Sequence, residues 1–194
     1  IMIAHGLQMQ LMGIRSVVEN FSLVTTGIFM SGYFTGYFLG SKTTPLLVQK
    51  VGHIRVFAAF ASLASLSALL AAVYVNPTMW TLSRFITGIS LVSCYIVTES
   101  WLNDRATNKN RGQLLSAYMI ILYSGLGIGM LLLNVSNPKN YEPFILVSVL
   151  LSLALVPILL TKRSAPKFKK IGTISVKELF EISPLGTVSS FCTG

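Results

Sequence analysis

Apolar residues along this chain come in long runs separated by short polar gaps. A helix needs roughly 20 mostly apolar residues, within about 17–25, to cross a bilayer. Five runs meet that length: Phe21–Gly40, Val56–Val75, Met79–Trp101, Leu114–Val135 and Phe144–Leu160. A partial run, Ile1–Met12, precedes them, and another starts at Pro184. None shows the every-second-residue alternation of a membrane β-barrel strand. The pattern predicts an all-α membrane protein. Residues 1–160 form a six-helix transmembrane bundle with a truncated first helix (helices at about 1–12, 21–40, 56–75, 79–101, 114–135 and 144–160). Residues 161–183 form a basic loop, and 184–194 begin a seventh helix.

The gaps set the orientation, because Lys and Arg concentrate in cytoplasmic loops. Ser41–Arg55 holds Lys42, Lys50 and Arg55, and Leu102–Gln113 holds Arg105, Lys109 and Arg111. Thr161–Ser183 holds Lys162, Arg163, Lys167, Lys169, Lys170 and Lys177. The alternate gaps carry only Arg15 and Lys139. The rich gaps are therefore cytoplasmic, and the expected location is a plasma membrane, the bacterial inner membrane, crossed several times. The segment 161–183 separates one six-helix unit from whatever follows, and its basic residues suit anionic headgroups.

Composition agrees. Of 194 residues, 53% are hydrophobic and 11% charged, against about 25% charged in a soluble domain, and the mean hydropathy is +0.69. A soluble enzyme, a disordered segment and a disulfide scaffold are disfavoured. The net charge of +9 does not indicate nucleic acid, since the basic residues sit in short gaps between spans; the expected partner is the lipid bilayer. Cys94 and Cys192 lie in apolar stretches and read as packing. Both ends of the chain fall inside apolar runs, which predicts a longer protein.

Within the spans, Gly32, Gly36 and Gly40 recur every fourth residue, so all three share one helix face and admit a neighbouring backbone. Gly125, Gly127 and Gly129 repeat the theme in the fifth helix. Ionisable residues at membrane depth are few: His5, Arg84 and Glu99, with Arg15 near the outer boundary. Each needs a reason, since such a residue costs about 2.5–3.5 kcal/mol on insertion scales. His5, Gln8 and Met12 are spaced to share a face that points to a bundle interior or a wet cavity. Arg84 suits either a helix-stabilising role or a fixed positive charge facing an anion. Glu99 lies roughly 22 Å further along its helix, at the cytoplasmic end, where it suits an ion pair with loop Arg or Lys. No Cys/His metal spacing, nucleophile elbow or phosphate-binding loop is present. Neither a metal nor a cofactor is expected, and the protein does not read as an enzyme.

The gap after the second span reads Pro45-Leu-Leu-Val-Gln-Lys-Val-Gly-His-Ile-Arg55. It resembles the major facilitator superfamily signature Gly-x-Leu-Ala-Asp-Arg-x-Gly-Arg-Arg between that family's second and third helices. Gly52 matches, Lys50 and Arg55 keep the basic character, Pro45 replaces the first Gly and Gln49 replaces the acid. Arg84-Phe-Ile-Thr-Gly88 is similar to the family's Arg-x-x-x-Gly pattern in the fourth helix. Tyr123-Ser-Gly-Leu-Gly-Ile-Gly129 has the glycines of the family's fifth-helix antiporter signature without its proline. The blocks from Val51 to Phe60 and from Glu99 to Arg105 look like the YcaD-like bacterial branch.

The resemblance implies a twelve-helix fold of two six-helix halves that rock about a midplane site, of which this chain is the amino-terminal half. The first, second, fourth and fifth helices would then line the cavity, and the third and sixth, which carry no charge, would face lipid. On that reading His5, Gln8, Arg84 and Tyr123 are the candidate solute-binding residues. Gln49, Lys50, Gly52, Arg55, Glu99 and Arg105 form a cytoplasmic gate, and Gly32, Gly36, Gly40, Gly125 and Gly129 pack helices. The expected function is secondary transport of a small solute by alternating access, tilted toward an anionic or zwitterionic solute, by a monomer completed by its carboxy-terminal half. A coupling proton would use His5 or an acid in the other half. The alternative left open is a non-transporting membrane sensor or assembly protein on the same fold.

Overall fold

The computed structural model describes residues 1–135, 137–160, 180, 181, 183–186 and 188. The helices are α1 (Met2–Val18), α2 (Leu23–Val51), α3 (His53–Val73), α4 (Pro77–Arg105), α5 (Arg111–Leu132), α6 (Glu142–Leu153) and α7 (Leu155–Leu159), with a 3₁₀ turn at Leu133–Val135. Among the described residues there is no strand, as the long apolar runs led us to expect. The basic segment 161–183 and the span expected from Pro184 fall almost wholly outside the described residues.

Local chemistry explains the helix starts. Ser22 caps α2 by accepting the Thr25 backbone N–H at 3.1 Å. Asn76 caps α4 by accepting the Met79 N–H at 2.8 Å, with Pro77 in the first helical position. Pro is suited to that position because its missing N–H would have no partner there anyway.

Helix extents differ from the apolar runs, because hydropathy marks the bilayer and not the end of the helix. α1 continues past Met12 to Val18, and Arg15 fastens its end. The Arg15 guanidinium pairs with Glu19 at 2.6 Å and donates to the carbonyls of Pro138, Lys139 and Asn140 before α6. α2 runs on to Val51, through most of the expected 41–55 gap and through Pro45. The chain turns only at Gly52, whose φ of 88° and ψ of 161° lie in a region essentially reserved for glycine. The sixth span is divided at Ala154 into α6 and α7. Pro157 cannot return a hydrogen bond to residue 153, and its ring crowds that carbonyl. Among the described residues four helical stretches are long and apolar enough to cross a membrane: α3, α4, α5 with its 3₁₀ turn, and α6 with α7. α1 has 17 residues, and α2 is diluted by the threonines, glycines and tyrosines between Thr25 and Gly40.

Two close helix pairs, α2 with α4 and α1 with α5, are joined by α3, which packs on α4 and α6. Glycine sets both close approaches. A Cβ on Gly36 would overlap the Phe85 carbonyl, on Gly88 the Tyr33 carbonyl, on Gly129 the Ile3 carbonyl and on Gly6 the Leu126 carbonyl. Gly32 meets the Thr81 carbonyl of α4 more loosely, while Gly40 and Gly125 face the side chains of Val92 and Met2. α3 and α6 bond through Ser65, whose hydroxyl lies 2.6 Å from that of Ser148 and 3.0 Å from that of Ser152. Each leaves an apolar face outward: Leu63, Leu66 and Leu69 on α3, and Ile145, Val149 and Leu153 on α6. Trp80 anchors one end of the core, donating to the Ala71 carbonyl at 3.0 Å between the rings of Phe21 and Phe29.

Two glycine substitutions separate these causes. Gly52→Ala meets open space but forces a strained backbone, so it should cost about 1–3 kcal/mol; Gly112→Ala, equally open inside α5, should be neutral or mildly stabilising. Gly88→Ala meets backbone, which cannot move aside, and should cost about 1–3 kcal/mol. Thermal unfolding in detergent, ranked against Gly112→Ala, checks both.

Candidate functional site

The costly polar residues of α1 and α4 converge beside Tyr33 of α2. Glycine packing aims them. Gly6 and Gly129 seat one face of α1 on α5, leaving His5 and Gln8, one helical turn apart, on a buried face. Gly88 lies against the Tyr33 carbonyl, so the Tyr33 ring is held beside the side chain one turn earlier on α4, Arg84. The Arg84 Cζ lies 4.7 Å from the Tyr33 ring centroid, over its face. The His5 ring stacks on the same tyrosine at 5.6 Å and 20°. Arg84 is only 2% exposed and His5 8%.

Around this trio runs a hydrogen-bonded layer from α1, α3 and α4. Gln8 donates from Nε2 to the Thr87 hydroxyl at 3.4 Å. The Thr87 hydroxyl donates to the Ser83 carbonyl at 2.9 Å and lies 2.9 Å from the Ser67 hydroxyl. Ser83 in turn donates to the Ser67 carbonyl at 2.7 Å. These groups are satisfied. Four buried side-chain atoms are not: Arg84 Nε and Nη1, His5 Nδ1 and Ser90 Oγ have no hydrogen-bond partner among the described residues.

Among the described residues no carboxylate pairs with Arg84 or His5. The acids of the chain are Glu19, Glu99, Asp104, Glu142, Glu178 and Glu181. Glu19 follows the end of α1, Glu99 and Asp104 lie in the last turns of α4, and Glu142 opens α6. Glu99 stands roughly 22 Å along α4 from Arg84 at 1.5 Å per residue.

Thus His5, Gln8 and Arg84, singled out by their cost, are brought together, whereas Tyr123 lies apart on α5, 67% exposed. Gln49, Lys50, Arg55, Glu99 and Arg105 are all exposed at the ends of α2 and α4 and the start of α3. Among the described residues none of them pairs with another; the single ion pair is Arg15–Glu19. Glu99 instead accepts from the Tyr118 hydroxyl at 3.3 Å. Among the described residues Glu99 makes no ion pair with a loop Arg or Lys, and Arg111 instead donates to the Asn103 side chain at 3.5 Å. Tyr33 was legible only as an aromatic flanking the glycine stripe, and Thr87 only as a letter inside Arg84–Gly88. The signal for both was their place next to residues already marked.

Two hollows flank the cluster, and neither is lined by Arg84 or His5. An apolar cleft of about 610 Å³ between α1, α4, α5 and α7 is lined by Tyr95, Thr98, Tyr118 and Gly125. A groove of about 640 Å³ between the amino-terminal halves of α2 and α4 is lined by Thr25, Ser31, Thr35, Thr78 and Thr81. The Arg84–His5 site is closed in this conformation.

Comparison with known proteins agrees with this architecture. The model of the Major Facilitator Superfamily matches residues 2–192. The chain is 27% identical over 156 residues to an uncharacterized MFS-type transporter YcaD of Escherichia fergusonii, covering 80% of this chain and 41% of that protein. It is 30% identical over 146 residues to the protein of the same name in Escherichia coli O6:K15:H31, covering 74% of this chain and 38% of the relative. The K12 strain DH10B gives the same identity and coverage. The chain therefore spans about two fifths of the length of these relatives. A helical bundle with several apolar helices, matched along nearly its whole length by one family of membrane transporters, is a multi-pass membrane protein, and the chain belongs to the Major Facilitator Superfamily.

Proposed function

We propose that this chain is the amino-terminal half of a secondary transporter that moves a small anionic or zwitterionic solute by alternating access, with no bond made or broken. The observation that carries the reading is the buried Arg84, which has no acid partner among the described residues. A charge at membrane depth costs about 2.5–3.5 kcal/mol even on insertion scales. Contact with the Tyr33 face returns about 2 kcal/mol when desolvated. Two donors without acceptors add about 1–3 kcal/mol each to the cost. The balance is unfavourable unless an anion visits the guanidinium, and a solute that binds one conformation of the bundle supplies that anion only when it is carried.

The other parts follow from that reading. The basic loops face the cytoplasm, and the membrane is the bacterial inner membrane. The exposed faces of α2 and α5 meet a second six-helix half, and Gln49, Lys50, Gly52, Arg55, Glu99 and Arg105 gate the cytoplasmic end where the halves meet. Tyr123, exposed on α5, belongs to the cavity wall between the halves. The glycine-to-carbonyl contacts keep α2 with α4, and α1 with α5, as two rigid pairs while the halves rock.

Arg84→Ala should abolish uptake while leaving membrane insertion intact, and Arg84→Lys, which keeps the charge and loses the planar fork, should retain part of it. Uptake of the transported solute into vesicles, normalised to inserted protein, reads the effect. Full uptake by Arg84→Ala would contradict the assigned role, and a folded protein that moves no organic anion, amino acid or drug would favour the non-transporting alternative.

A further inference from the structure

We infer that the apolar cleft between α4 and α5 is a binding site for an organic cation with an aromatic or alkyl body, held by Glu99 and the rings of Tyr95 and Tyr118. The site stands apart from Arg84 and does not rest on the transport reading above. At about 610 Å³, the cleft falls within the range of roughly 300–1,000 Å³ that encloses a drug-sized molecule. It exists because α4 and α5 touch only lightly, which leaves the space between them to side chains. Gly125 contributes none, and Pro157 and Ile158 of α7 complete the wall.

The polar groups of the site come from two helices. Tyr95 and Glu99 stand four residues apart on α4, so their side chains are neighbours on one face. The Tyr118 hydroxyl of α5 donates to Glu99 at 3.3 Å. Tyr95, Thr98 and Tyr118 all line the cleft, so this hydrogen bond fastens a carboxylate to its wall. The Tyr95 hydroxyl donates to Met2 Sδ of α1 at 3.6 Å, which holds the second ring at the same cleft.

Charge decides the class of ligand. Glu99 is exposed, and among the described residues no cation pairs with it. No basic side chain lines the cleft. A neutral apolar molecule would leave the carboxylate without a counterion, and an organic anion would meet a like charge. A cation with apolar groups matches both parts of the site. Its body covers the apolar wall, and its charge meets Glu99 and the electron-rich faces of two tyrosines, an attraction that grows as water is excluded. An exposed carboxylate alone holds a cation weakly. Affinity therefore rests on the wall and the rings, and Glu99 supplies the preference of sign.

Tetraphenylphosphonium and tetraphenylborate, alike in shape and opposite in charge, are the probes. Thermal unfolding of the complete protein in detergent, titrated with each, is the assay. The cation should raise the thermal midpoint saturably, and more than the anion does. Glu99→Gln should weaken the cation's apparent affinity by about threefold to tenfold and narrow the difference between the two ions. Tyr118→Phe, which loses the hydrogen bond and keeps the ring, should retain the response. Ile121 lines the cleft and is 70% exposed, so Ile121→Trp should block the response without disturbing the core, and its midpoint without ligand reports its folding. An equal response to both ions would assign the cleft to lipid or detergent tails and overturn the inference. So would a cation response unchanged in Glu99→Gln or in Ile121→Trp, or folded wild-type protein that the cation does not stabilise. None of these outcomes bears on Arg84, which does not line the cleft.

Discussion

A guanidinium held in the middle of an apolar bundle, with no carboxylate paired to it among the described residues, constrains everything around it. Arg84 is nearly inaccessible to solvent, and every acid of the described helices sits at a helix end. The molecule responds in two ways. It places an aromatic face under the charge, which recovers part of the lost hydration, and it ties up the hydroxyls of Ser83 and Thr87 on the same helix, with Ser67 of α3, in bonds to one another and to backbone carbonyls. What it does not do is satisfy Nε and Nη1. A purely structural arginine of this depth would be expected to hold backbone carbonyls, as Arg15 does at the end of α1 with Pro138, Lys139 and Asn140. The contrast between these two arginines is the physical basis for assigning one to architecture and the other to a visiting ligand.

The backbone supplies the precision that such a site needs. Glycine at Gly36 and Gly88 allows α2 and α4 to approach until side chains are squeezed out of the contact, and Gly6 and Gly129 do the same for α1 and α5. In a bilayer there is no hydrophobic gain from helix association, so close packing and interhelical hydrogen bonds must hold the bundle. Here they coincide: Thr44 and Ser93 bond across α2 and α4 at 2.7 Å, one turn beyond the last glycine of the stripe. Rigid pairs of this kind keep Tyr33, His5 and Arg84 in register.

The sequence made the site's charged members visible and its supporting members invisible, for the same reason. His5, Gln8 and Arg84 stand out because a polar group in an apolar run is expensive, and expense is detectable without a structure. Ser67, Ser83 and Thr87 are inexpensive in a helix, since each hydroxyl can bond to a nearby carbonyl, so nothing in the chain distinguishes them from other serines and threonines. The helix class and the glycine stripes were legible from run length and four-residue spacing. The true length of α2 was not, because Ser41, Lys42 and Thr43 end the apolar run while remaining good enough helix residues to continue past the membrane face. The break at Ala154 was carried by Pro157 alone, within a run that hydropathy reads as continuous.

The most direct measurement is a cryo-electron microscopy structure of the protein in lipid nanodiscs at a resolution that shows the Arg84 side chain. The guanidinium should lie over the Tyr33 ring, with a bound anion against Nε and Nη1. A guanidinium paired with a carboxylate of the protein, or turned out to the lipid headgroups, would contradict the assignment of Arg84 to a ligand.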